Sequence, residues 1–172
     1  MPTVKKPGEA LRGRARLVRF LLLDVDGVLT NGTLWRDDQG REIKGFSIYD
    51  GHGVRMLQNA GVEVGFLSGR HSRAVSDRAR ELGVREVHQG IDNKLAVYER
   101  LRDRFGLSDK EFAYMGDDLP DLPILQRVGF SISVPNGVRQ VTRSVDWVTE
   151  RRGGEGAVRE VVDFLLEARQ EP

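Results

Sequence analysis

Two carboxylates separated by one residue, Asp24 and Asp26, follow the apolar run Leu21-Leu22-Leu23 and precede Gly27. Like charges about 4 Å apart at an effective dielectric near 20 repel by roughly 4 kcal/mol. A chain that sets such a pair at the end of a buried strand binds a cation there, uses a carboxylate chemically, or does both. An aspartate can attack phosphorus as a covalent nucleophile, dividing one hard displacement into two easier ones. A second carboxyl can protonate the leaving oxygen and then activate water, which contributes about a hundred- to ten-thousand-fold. The structural alternative is a capped Asp-Gly turn.

Three further polar clusters carry chemistry. Gly116-Asp117-Asp118 follows an apolar stretch, with Asp121 just beyond Pro120. Together with Asp24 and Asp26 these acids call for a compensating cation, and hard oxygen ligands without histidine or cysteine suit Mg²⁺. Read locally, they could also be an acidic helix N-terminus. Ser68-Gly69-Arg70 offers a hydroxyl and free backbone N–H groups where a helix is expected to open, an anion site or an ordinary cap. Lys94 follows Gly90-Ile91-Asp92-Asn93 and brings a cation to a helix start, where a solvated surface lysine is the alternative. The three histidines (His52, His71, His88) lack metal-ligand spacing, and only His52 falls beside these clusters.

The elements that must position these groups alternate. Short apolar runs predict strands over 18–23, 62–67, 86–88, 112–115, 130–134 and 147–148. Amphipathic stretches predict helices over 51–59, 72–82, 94–105, 122–127, 137–143 and 157–168. Such alternation implies an α/β fold: a three-layer, Rossmann-like parallel sheet with helices on both faces. Gly61, Gly83, Gly106 and Gly129 fall where helices should stop in a left-handed residue. Two short alternating stretches around Asp37-Asp38-Gln39-Gly40 predict a β-hairpin insertion over about 32–46. In an open parallel sheet ligands sit beyond the carboxyl ends of the strands. Asp24/Asp26, Ser68–Arg70, Gln89–Lys94 and Gly116–Asp118 all fall at such ends, so the fold should gather them at one rim.

Composition narrows the partners. The 172 residues fit one domain, expected over 18–172, and a net charge of +1 creates no global field for nucleic acid or membrane. Basic residues crowd the first nineteen positions, but Pro2, Pro7, Gly8 and Gly13 predict a flexible leader over 1–17 rather than a nucleic-acid arm. There is no cysteine, no apolar run of membrane-spanning length and no secretion-signal core, so a cytoplasmic protein is expected.

In this order the clusters resemble the haloacid dehalogenase superfamily of phosphatases, with Asp24/Asp26, Ser68, Lys94 and Asp117/Asp118/Asp121 filling its four motifs. Asp24-Val-Asp-Gly-Val-Leu-Thr, Asp50-Gly-His-Gly-Val, Leu67-Ser-Gly-Arg, Gln89-Gly-Ile-Asp-Asn-Lys and Gly153-Gly-Glu-Gly-Ala-Val-Arg-Glu are similar to the 3-deoxy-D-manno-octulosonate 8-phosphate phosphatases. These act on an eight-carbon keto-sugar acid phosphate on the route to lipopolysaccharide. The resemblance implies Asp24 as nucleophile and Asp26 as general acid and base. It implies phosphoryl contacts from Ser68 and Lys94, Mg²⁺ on Asp24, Asp117 and the Asp26 backbone carbonyl, and supporting roles for Asp118 and Asp121. It also implies a tetramer in which hairpins replace a cap domain and cover neighbouring sites. A sugar acid adds a carboxylate, for which Arg70 and Arg78 are the candidate cations. Phosphatases for nine-carbon keto-sugar acids or other small phosphate esters stay open. So do a phospho-receiver module, which usually carries its acidic pair before the acceptor, and a non-catalytic binding protein that retains the fold.

Overall fold

The structure, a computed structural model, describes residues 8–170. Six short segments form one parallel sheet: β1 (Phe20–Leu23), β4 (Glu63–Leu67), β5 (Glu86–His88), β6 (Phe112–Met115), β7 (Phe130–Ser133) and β8 (Trp147–Val148). Their order across the sheet is β5-β4-β1-β6-β7-β8, and every neighbouring pair is parallel. The intervening helices are α2 (Ile48–Asn59), α3 (Arg73–Leu82), α4 (Lys94–Phe105), α5 (Leu122–Leu125), α6 (Arg139–Thr142) and α7 (Ala157–Gln170).

Strand residues alternate between faces, so a strand covered on both sides must be apolar throughout. In β1, Leu21 and Leu23 enter one core with Val54, Leu57, Val161 and Leu165 of α2 and α7. Phe20 and Leu22 enter the other with Val97, Tyr98 and Leu101 of α4. The sheet is therefore the middle of three layers, as the alternating pattern implied.

Left-handed backbone occurs at Gly61, Gly83 and Gly106, each closing a helix as expected. Gly129 differs. Its φ is not positive, and a side chain there would strike the Lys110 backbone, 2.6 Å from a Cβ. Close approach of two chain segments, not helix termination, explains that glycine.

The expected leader is corrected over its second half. Residues Glu9–Leu17 form helix α1. Ala15 is fully buried, Leu11 packs on the core, Arg12 lies over the Phe164 ring and Arg16 Nε donates to the Ala168 carbonyl. Arg12 and Arg16, which resembled part of a solvated arm, instead bind α1 to the last helix, and Arg14 pairs with Asp146. Residues 1–7 of that leader lie outside the described residues.

The hairpin forms as expected from β2 (Trp35–Arg36) and β3 (Glu42–Ile43), antiparallel, with Trp35 opposite Ile43. Its turn is held by Asp37, which accepts from the backbone N–H groups of Gln39 and Arg41. Among the described residues no helix is long and apolar enough to cross a membrane.

Candidate active site

The central strand β1 lies between β4 and β6, so its carboxyl end sits where the strand order reverses, the crevice in which open α/β sheets bind ligands. Asp24 extends the ladder by one bond, its N–H donating to the Met115 carbonyl. Its carboxylate, in a residue only 5% exposed, faces Asp117 and Asp121, and one oxygen from each of the three lies within 4.8 Å of the others. Gly27, at φ 100°, turns the chain away beside this cluster; a Cβ there would collide with the Asp117 carboxylate.

Lys94 is the counter-charge. Its ammonium donates to Asp24 Oδ1 at 2.5 Å and to Asp121 Oδ1 at 2.7 Å. It reaches the rim because Asn93 caps α4 through the Ala96 N–H and the preceding loop is stitched to the second motif. Gly90 N–H donates to the Arg70 carbonyl, and Ile91 N–H to that of Ser68. Ser68 is buried, and its hydroxyl accepts from Arg70 N–H. The helix expected to open there begins later, with Ser72 at the cap of α3. Ser68 thus sits in the loop between β4 and α3 rather than at a helix N-terminus.

Asp121 is saturated. Its Oδ1 accepts from Lys94 and the Tyr114 hydroxyl, and its Oδ2 accepts from the N–H groups of Asp117 and Asp118. It therefore anchors the loop that presents Asp117, leaving Asp24 and Asp117 as the carboxylates with free ligand capacity. Asp118 is exposed and accepts from Leu119 N–H.

Electrostatics agree with a cation site. Burial, augmented by Asp121 and Asp117, raises the Asp24 carboxyl well above its ordinary value despite Lys94. Burial and then Asp121 push Asp117 up to about 6. Burial opposes the charge on Lys94, but Asp24 and Asp121 outweigh it and hold its pKa above normal. Oxygen donors already straining against their own charge fit a hard divalent ion such as Mg²⁺.

Asp26 and Arg70 are joined through two hairpin residues, Lys44 and Glu42. Lys44 Nζ donates to Asp26 Oδ1 and lies 3.1 Å from Glu42 Oε1, while Glu42 Oε2 accepts from Arg70 at 2.7 Å. Burial would raise the Glu42 carboxyl, but bonds from Arg70, Lys44 and Ser72 hold it down to about 2. A Glu-x-Lys pair is ordinary in a sequence, so only the folded hairpin reveals it. Arg78 donates to Glu81 and the Ser47 carbonyl and lies over Phe46. Asp50 instead receives the Arg159 N–H at the start of α7, and His52 is exposed. A cavity of about 780 Å³ between α1, β8 and α7 includes none of the rim residues.

An aspartate pair just beyond the central strand, a loop serine, a bridging lysine and an acidic loop at the switch point of a capless α/β sheet define a haloacid dehalogenase-like hydrolase. The family described in those words matches residues 86–161. The 3-deoxy-D-manno-octulosonate 8-phosphate phosphatase of Escherichia coli strain K12 is 39% identical over 153 residues, covering 89% of this chain and 81% of that protein. The Yersinia pestis phosphatase structure of the same name superposes with a TM-score of 0.92 at 37% identity, over 94% of this chain and 87% of that one. The Moraxella catarrhalis enzyme, solved in complex with magnesium ion, phosphate ion and KDO, gives 0.91 at 39% identity over 93% and 92%. The chain belongs to the 3-deoxy-D-manno-octulosonate 8-phosphate phosphatase family.

The raised Asp117 pKa sets a pH signature. Between the ordinary value of 3.8 and about 6 the folded metal-free protein binds more protons at this group than the unfolded chain does, so its contribution to stability falls as pH rises through that window. Mg²⁺ competes with those protons. Calorimetric melting should therefore give a larger Mg²⁺-induced rise in Tm at pH 7.5 than at pH 5; an equal rise at both would contradict the assignment.

Proposed function

We propose that the protein is a Mg²⁺-dependent phosphomonoesterase that hydrolyses 3-deoxy-D-manno-octulosonate 8-phosphate to the free sugar acid and phosphate. The observation that carries this reading is Lys94 bridging Asp24 and Asp121, with Asp117 in reach of both. An Asp24 oxygen attacks phosphorus and forms an aspartyl-phosphate, while Asp26 gives its proton to the departing sugar oxygen. Asp26 then takes a proton from the water that releases phosphate. Ser68 and Lys94 hold phosphoryl oxygens by hydroxyl and ammonium donation. Mg²⁺, held by Asp24, Asp117 and the Asp26 backbone carbonyl, would supply charge neutralisation at the phosphoryl group. Asp118 and Asp121 support that loop.

Arg70, half exposed at the rim, is the cation for the substrate carboxylate, exchanging Glu42 for the sugar acid. Arg78, already engaged by Glu81 and Ser47, braces α3 against the start of α2. A phosphorylated sugar acid is a multiple anion that does not cross a bilayer unaided, so the reading places the enzyme in the cytoplasm with its substrate. A nine-carbon keto-sugar acid phosphate is the second reading, because it offers the same phosphate and carboxylate to the same groups.

The rim is open within one chain, and the hairpin over 32–46 presents Leu34, Trp35 (59% exposed) and Ile43 (54% exposed) outward. Apolar exposure of this kind suits association, and the reading includes a homotetramer built on these hairpins, with residues 18–172 as one phosphatase domain.

Phosphate release from the eight- and nine-carbon substrates tests the function. The eight-carbon ester should give the higher kcat/KM, EDTA should silence the enzyme until Mg²⁺ is restored, and Asp24→Asn should lower kcat by at least about a thousandfold, as loss of a nucleophile does. Retained turnover in Asp24→Asn, or indifference to EDTA, contradicts it. For the assembly, sedimentation should give a tetramer that Trp35→Asp dissociates; a fully active wild-type monomer would reject the hairpin interface.

A further inference from the structure

The hairpin carries a residue that its outward role does not explain. Leu34, Trp35 and Ile43 face solvent, yet the Lys44 side chain is only 3% exposed and turns inward. Withdrawing an ammonium from water is unfavourable unless partners replace the lost hydration. Those partners are Asp26 Oδ1 and Glu42 Oε1. Glu42 belongs to the same hairpin and is itself fastened to Arg70 in the loop after β4. The chain of ion pairs thus runs from the catalytic loop through the hairpin to the second motif, all within one polypeptide.

We propose that Lys44 is a positioning residue that aims the Asp26 carboxyl at the ester oxygen of the substrate. The inference rests on the reading of Asp26 as proton donor. An ammonium on Oδ1 directs the carboxyl proton to Oδ2 and fixes the rotation of the group. In the first step a bond forms between an Asp24 oxygen and phosphorus as the bond from phosphorus to the ester oxygen breaks. The ester oxygen keeps that electron pair and takes the proton from Asp26. In the second, water oxygen bonds to phosphorus, the Asp24–phosphorus bond breaks, and the water proton returns to Asp26. Lys44 neither gains nor loses a proton in either step.

A positioned acid matters only where the leaving group needs a proton. A sugar alkoxide does; a 4-nitrophenolate does not. Lys44→Met should lower the single-turnover rate on saturating 3-deoxy-D-manno-octulosonate 8-phosphate about a hundredfold, the scale of a misplaced catalytic group. The kcat/KM for 4-nitrophenyl phosphate, which reports only steps through departure of the leaving group, should change by less than about threefold. In an Asp26→Asn background the same substitution should add almost nothing. Lys44→Gln, which keeps a donor to Asp26, serves if methionine unfolds the hairpin, with the same pattern expected at smaller amplitude.

Equal losses on both esters would make Lys44 merely structural, and a rise in KM with an unchanged single-turnover rate would make it a substrate contact; either overturns the proposal. A wild-type protein inert toward both esters would instead overturn the phosphatase reading beneath it. Wild-type turnover with an unselective Lys44 variant separates the two failures.

Discussion

The site depends on one electrostatic imbalance. Three buried or half-buried carboxylates, Asp24, Asp117 and Asp121, meet around one ammonium, Lys94. Three negative charges against one positive leave a formal charge of −2, which is the charge a single divalent ion neutralises. The imbalance survives because the framework is over-determined. Asp24 is fixed by the β1–β6 ladder, and Asp121 by four hydrogen bonds. Relaxation by moving apart is closed, so the carboxyls hold protons or a cation instead. The same fixity suits phosphoryl transfer, in which most of the work is placing groups and offsetting charge.

The hairpin extends this logic to a domain without a large cap. It is too short to enclose a substrate, yet it reaches the rim through Lys44 and Glu42 and presents apolar residues outward. Inward ion pairs within the chain and an outward apolar surface are therefore separate features of one element. The turn around Asn136 braces the opposite side of the rim. Its amide donates to the Gly27 carbonyl and accepts from Gly153 N–H, while Val138 N–H donates to the Asp117 carbonyl. The first and last acidic loops are thus tied by hydrogen bonds as well as by the charge between them.

Much of this was legible in the chain because three of the four polar clusters directly follow an apolar strand. Leu23 to Asp24, Leu67 to Ser68 and Met115 to Gly116 mark strand ends without any knowledge of the fold, and parallel order then brings those ends together. The legible part stopped where burial depends on distant partners. Lys44 and Glu42 look like surface charges until the hairpin folds back on Asp26 and Arg70. The α1 arginines look solvated until Phe164 and the end of α7 arrive beside them. Arg78 carries the right charge in the right neighbourhood, but Glu81, one turn along its own helix, helps to hold it. Gly129 answers to the Lys110 backbone, a contact no local pattern encodes.

The site stands or falls on whether one divalent ion binds between Asp24 and Asp117 while Lys94 remains paired. A crystal grown with Mg²⁺ and a phosphate mimic measures this directly. One ion is expected about 2.1 Å from a carboxylate oxygen of each residue, with the mimic facing Asp24. An ion bound elsewhere, or Asp24 turned away from the mimic, would contradict it.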